Sequence, residues 1–65
     1  MTRQMSVRAA RIDAGHTQQS MAEILKMSRI TYAKYEKNPG KMTYPMMIAF
    51  CKAVSRDLED VIFLP

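Results

Sequence analysis

The sequence predicts a compact all-α domain: a bundle of five short helices within a single 1–65 unit. Three observations carry that prediction. Hydroxyl or carboxyl side chains suited to helix capping recur at short intervals, each ahead of apolar residues at helical spacing. The segments between them are too short for anything but tight corners. No stretch alternates apolar and polar residues around a hairpin turn, so no strand is expected.

The elements follow in order. The first helix begins between Thr2 and Ser6, either of which can cap it, and runs to about Ala14. Val7, Ala10 and Ala14 form its apolar stripe. Gly15 ends it by supplying the positive φ common just past a helix C-terminus. Thr17 caps a second helix through about Leu25, with Met21, Ala22, Ile24 and Leu25 buried and Gln18, Gln19 and Glu23 outward. Lys26 and Met27 make a corner, and Ser28 caps a third helix over about Arg29 to Glu36. That helix buries Tyr32 and Tyr35 and turns Arg29, Ile30, Ala33 and Lys34 outward. The run Lys37-Asn38-Pro39-Gly40-Lys41 breaks the pattern. Thr43 caps a fourth helix to about Val54, with Pro45 tolerated in its first turn and Tyr44, Met47, Ile48, Cys51 and Val54 inward. Asp57 caps a short fifth helix carrying Leu58, Val61 and Ile62. Most of the seven methionines fall at buried spacing and read as packing.

Composition narrows the function classes. A 65-residue chain allows one domain and a limited core. The lone Cys51 cannot close an intramolecular disulfide, and with one His the chain has no Cys/His cluster for zinc. No metal, cofactor or small-molecule ligand is therefore expected, and a reducing cytoplasm is the expected location. The start lacks the apolar core of a secretory signal, and no apolar run approaches bilayer length. Enzyme chemistry has no foothold. Cys51 has no base beside it in the pattern, Asp57, Glu59 and Asp60 read as a solvated helix start, and there is no phosphate loop. His16 reads as a turn residue.

The formal charge is +4 and unevenly placed. Lys26, Arg29, Lys34, Lys37 and Lys41 lie in or beside the third helix, opposed there only by Glu36, while Asp57, Glu59 and Asp60 gather near the C-terminus. One basic face suits a polyanion. The stretch Thr17 to Glu36 then reads as a helix-turn-helix unit, whose second helix is the short, exposed, basic element that enters a DNA major groove.

These residues resemble the lambdoid phage repressor and Cro family of helix-turn-helix DNA-binding domains, the xenobiotic-response-element type. The resemblance covers Val7 to Val61. It rests on Arg11 late in the first helix, Gly15 closing it, Thr17-Gln18 opening the second, Met21-Ala22 within it, and Glu36 closing the recognition helix. Three departures stand out. Lys26 occupies a turn position where the family commonly has Gly, Asn38-Pro39-Gly40 reverses the chain after Glu36, and His16 replaces an aliphatic residue. The resemblance implies an ion pair between Arg11 and Glu36. It also implies a stand-alone Cro-like regulator that binds double-stranded DNA as a homodimer on a two-fold operator. A phage, other mobile element or bacterial setting comes from the resemblance alone. Two other roles keep the same fold: the antitoxin of a toxin–antitoxin operon, and an anti-repressor that binds protein rather than DNA.

Each site residue has a functional and a plainer reading. Arg29, at the start of the recognition helix, can give two donors to guanine O6 and N7, or touch phosphate only. Ile30 meets a thymine methyl or packs under the first helix, and Thr31 lies beside it. Lys34 reaches a base or, more simply, the backbone. Gln18 at a helix N-terminus suits a phosphate, as do Ser28, which capping also explains, and Lys37, Asn38 and Lys41 in the following loop. Phe63 and Leu64 are apolar residues on the tail. Either they contribute to a symmetric dimer contact, or the tail folds back against the fourth helix of its own chain.

Overall fold

Hydroxyl side chains set where each α-helix begins. In the computed structural model, which describes residues 4–63, α1 spans Val7–Asp13, α2 Gln18–Ile24, α3 Arg29–Lys37 and α4 Tyr44–Val54. Ser6, Thr17, Ser28 and Thr43 precede them in extended conformation and accept hydrogen bonds from the backbone N–H of Ala9, Ser20, Thr31 and Met46. Each cap satisfies a donor that the helix cannot, a contribution of about 1 kcal/mol.

Three of the helices end alike. After α1, Gly15 N–H bonds to the Ile12 carbonyl and His16 N–H to that of Arg11, with Gly15 at φ +81°. After α2, Lys26 bonds to Glu23 and Met27 to Ala22; after α4, Ser55 bonds to Lys52 and Arg56 to Cys51. This paired closure requires a left-handed residue at its centre. Lys26 and Ser55 supply it at φ 60° and 56° despite carrying a Cβ, which costs on the order of 1–2 kcal/mol each. The turn between α2 and α3 thus keeps its geometry without glycine.

Two sequence expectations need correction. The fifth helix is a single 3-10 turn, Leu58–Asp60, and the Asp57 side chain makes no capping bond to it. The chain instead leaves that turn extended, and β2 (Val61–Ile62) pairs in parallel with β1 (Met5–Ser6), where no strand was expected. Gln4 adds a side-chain bond to the Glu59 carbonyl beside this pairing. Four α-helices, not five, make the bundle among the described residues. Another 3-10 turn, Pro39–Lys41, links α3 to α4.

The core gathers Val7 and Ala10 of α1, Met21 and Ala22 of α2, Tyr32 of α3, Phe50, Cys51 and Val54 of α4, with Met42 and Val61. Tyr32 and Phe50 are fully enclosed. Met5, Met27, Met46 and Met47 pack around its edge, so methionine serves mainly as filler. Helical spacing misplaced four apolar residues. Ala14 is exposed and Arg11 takes the inward position; Ile24 is largely exposed, and Ile62 projects from the short strand. Tyr44 is 66 % exposed, because the buried stripe of α4 runs through Phe50, Cys51 and Val54, with Met46 and Met47 at the core edge, and Tyr44 as the first residue of the helix lies outside it. Phe50, unassigned from spacing, is the residue that fills the centre.

At the end of the described residues, the chain folds back at Phe63. Phe63, half-buried, meets Phe50 of α4 edge to face within its own chain, ring centroids 6.2 Å apart. Leu64 lies outside the described residues.

The inward-turned Arg11 ties α1 to α3. Its Nε lies 2.8 Å from Glu36 Oε2, its Nη2 donates to Glu36 Oε1, and its Nη1 donates to the His16 carbonyl at 2.7 Å. Both side chains are nearly enclosed, 10 % and 5 % exposed. Burial alone would raise the Glu36 pKa. The Arg11 hydrogen bonds outweigh it, helped by the adjacent Tyr32 hydroxyl and the Gln18 amide, and hold it below the ordinary carboxylate value. The same contact raises the already high Arg11 pKa. The Tyr32 hydroxyl sits buried beside the pair without a hydrogen bond of proper geometry, and burial, followed by the nearby carboxylate, keeps it neutral. A second ion pair, Arg56 with Asp13 at 2.7 Å, is exposed and contributes little.

Two outcomes follow from this packing. Phe50→Ala costs about 3–5 kcal/mol in urea unfolding, whereas Tyr44→Ala shifts stability by about 0.5 kcal/mol or less. A comparable loss for both would mean that the α4 stripe is rotated from the one described. For the ion pair, Glu36 has its pKa lowered by folding. Its share of stability is full above the unfolded carboxylate pKa and is lost as pH falls through the lower folded value. Arg11→Met leaves that carboxylate buried and alone, so it costs about 3–5 kcal/mol near neutral pH. The cost shrinks on acidification, as Glu36 takes a proton; a pH-independent cost would refute the charge-pair account.

Candidate nucleic-acid interface

The outward side of α3 is set by what its inward side must do. Tyr32 fills the core, Tyr35 is half-buried against it, and Glu36 turns to Arg11. Helical geometry then leaves Arg29, Ile30, Lys34 and Lys37 facing solvent. Ile30 is 66 % exposed, so it does not pack under the first helix. Ala33 beside it is half-buried. At nine residues α3 is about 13 Å long, comparable with the width of a major groove.

Shallow clefts flank this ridge. One is walled by Thr31, Lys34, Tyr35, Asn38 and Lys41. The other lies toward α1 and α2, with Ile30 and Ala33 as apolar lining and Gln18, Arg29, Lys34 and Lys37 around it. Lys34 borders both. The charge is one-sided: Glu36 is the sole acidic residue of α3, and Arg11 neutralises it from within. The exposed surface of the helix therefore presents cations around an apolar centre.

Sequence-derived site residues fall into three groups. Arg29, Ile30, Thr31 and Lys34 lie together on the exposed side of α3, and Lys37, Asn38 and Lys41 continue from its C-terminal end, all exposed. Gln18 does not simply face outward. It is half-buried, its amide donates to Glu36 Oε1 at 3.3 Å, and its carbonyl lies 3.5 Å from Arg29 Nη1. One amide hydrogen remains uncommitted. Ser28 is occupied by capping: its Oγ accepts from Thr31 N–H and donates to Thr31 Oγ1 at 2.9 Å. Arg8 was missed. It borders the cleft shared by Arg29 and Lys37, and its place one turn before Arg11 was the available signal.

His16 Nδ1 lies 2.7 Å from Ser20 Oγ, which fits a turn residue. Cys51 is buried, and burial followed by the charges of Asp57 and Asp60 pushes its thiol pKa up, away from a reactive thiolate. Among the described residues no group of His, Cys, Asp and Glu could hold a metal ion, and no helix is long and apolar enough to cross a membrane.

A family model described as Helix-turn-helix matches residues 7–61, most of the chain. No curated protein and no solved structure matches it. With the two-helix unit, its tight corner and its exposed basic second helix all inside the matched span, the chain belongs to the helix-turn-helix family of the lambda repressor and Cro type, a generally non-enzymatic family of DNA-binding transcriptional regulators.

Proposed function

We propose that this protein is a sequence-specific, Cro-like repressor that binds a two-fold operator as a homodimer. The supporting observation is the outer face of α3, where Ile30 stands exposed between Arg29 and Lys34 with no unneutralised acid beside it. An exposed isoleucine in a cationic surface has little purpose in water, but its methyls match a thymine methyl at the floor of a major groove. Arg29, in the first turn of α3, presents a planar fork to guanine O6 and N7. Thr31 and Lys34 read or border the adjacent positions. The free amide hydrogen of Gln18 and the side chains of Lys37, Asn38 and Lys41 take backbone phosphates, which hold the helix in register without selecting sequence.

Two copies would place their α3 helices about 34 Å apart, in successive major grooves of one face of the duplex. Repression then follows from occlusion of a promoter. Cytoplasmic or nucleoid location accompanies this role.

Selection of duplexes from a random pool at stated salt yields the preferred site. On that site Arg29→Ala loses about 1–3 kcal/mol and relaxes one position of the preference, whereas Lys41→Ala weakens all duplexes alike. Equal losses for Arg29→Ala on selected and scrambled duplexes would rule out base reading by this residue.

A further inference from the structure

The cleft on the α1 side of α3 holds more positive charge than the contacts above use. Arg8 comes to it from α1, and Arg29, Lys34 and Lys37 come from α3. Arg8 is exposed, and among the described residues neither ion pair includes it. The acid that borders the same cleft, Glu36, is already neutralised by Arg11. Four cations around one opening repel each other in the free protein, and an anion lying across the opening relieves that repulsion. The central lining of Ile30 and Ala33 is apolar, so the charge is arranged at the rim, not in the middle.

This distribution matches a groove and its walls. With α3 among the base edges, a phosphodiester strand runs along each side of the helix. In that arrangement the cleft walled by Asn38 and Lys41 would meet one strand, and the cleft walled by Arg8 would face the other. We propose that Arg8 seats a DNA backbone phosphate on the α1 side of the recognition helix, so that the footprint extends from the helix-turn-helix unit to α1; this rests on the DNA-binding reading above. A guanidinium suits the task, because it offers parallel N–H donors to two phosphate oxygens. The contact is to backbone, so it adds affinity and salt dependence without sequence preference.

The test measures binding of the intact protein to a selected duplex and to a scrambled duplex across a salt series. Wild type, Arg8→Ala, Arg8→Lys and Lys52→Ala are compared, the last removing a charge from a different cleft. Losing one phosphate contact flattens the slope of log affinity against log salt by about 0.9, so the affinity drop between about 50 and 200 mM salt becomes three- to fourfold smaller. Arg8→Ala is expected to show this on both duplexes, with an unchanged melting temperature. Arg8→Lys keeps the wild-type slope, as does Lys52→Ala. A wild-type slope for Arg8→Ala overturns the proposal, and so does a loss confined to the selected duplex. So does a melting temperature lowered for Arg8→Ala and Arg8→Lys alike, with the slope flattened in both, since Arg8 would then act through the fold. If wild type itself binds neither duplex in a salt-dependent way, the DNA-binding reading fails first, a result separable from a failure of Arg8 alone.

Discussion

The buried pairing of Arg11 with Glu36 is the constraint on which the geometry of this molecule turns. Two charges removed from water cost several kcal/mol each unless they meet each other with good geometry. Here they do, through two Arg11–Glu36 hydrogen bonds and a third to the His16 carbonyl. The requirement is strict in direction as well as distance. It fixes the rotation of α3 about its own axis relative to α1, and holds the turn after α1 to the same guanidinium. A hydrophobic contact at this place would be satisfied by a range of rotations; a forked ion pair is not.

That single orientation has an electrostatic consequence. With Glu36 drawn inward, the remaining charges of α3 are all positive and all outside. The same interaction that anchors the helix therefore also cleans its exposed face of negative charge. Gln18 extends the connection, since it bonds to Glu36 on one side and approaches Arg29 on the other. Architecture and the exposed cationic surface share atoms here. A substitution in the buried pair is accordingly felt on the exposed face without any DNA contact of its own.

The second requirement is a corner that neither lengthens nor bends. α2 and α3 are short, and short helices are marginal by themselves. They persist because each is capped by a hydroxyl, α2 is closed by a left-handed residue, and both pack through Met21, Ala22 and Tyr32 into one core. Lys26 bears the strain of the left-handed position where glycine would not. The compensating gain is two satisfied carbonyls and a fixed interhelical angle.

How much of this was legible from the residues alone follows from the range of each interaction. Caps and left-handed closures involve neighbours three to five positions apart, so Thr17, Ser28, Thr43 and Gly15 marked helix limits directly, and the helix-turn-helix unit could be placed. Arg29 and Lys34 could be placed on one surface because α3 is a regular helix with Tyr32 as its inward marker. Spacing alone could not decide which part of each helix reaches the core. Tyr44 and Ile24 sit near helix ends that overhang it, while Phe50 and Arg11 occupy places defined by partners far along the chain. The parallel pairing of Met5–Ser6 with Val61–Ile62 and the edge-to-face contact of Phe63 with Phe50 likewise join distant segments, and they turned an expected fifth helix into one tight turn. Local hydrogen bonds are written in consecutive residues; the rotation of α3, the concealment of Glu36 and the arrival of Arg8 beside it exist only once the helices are packed against one another.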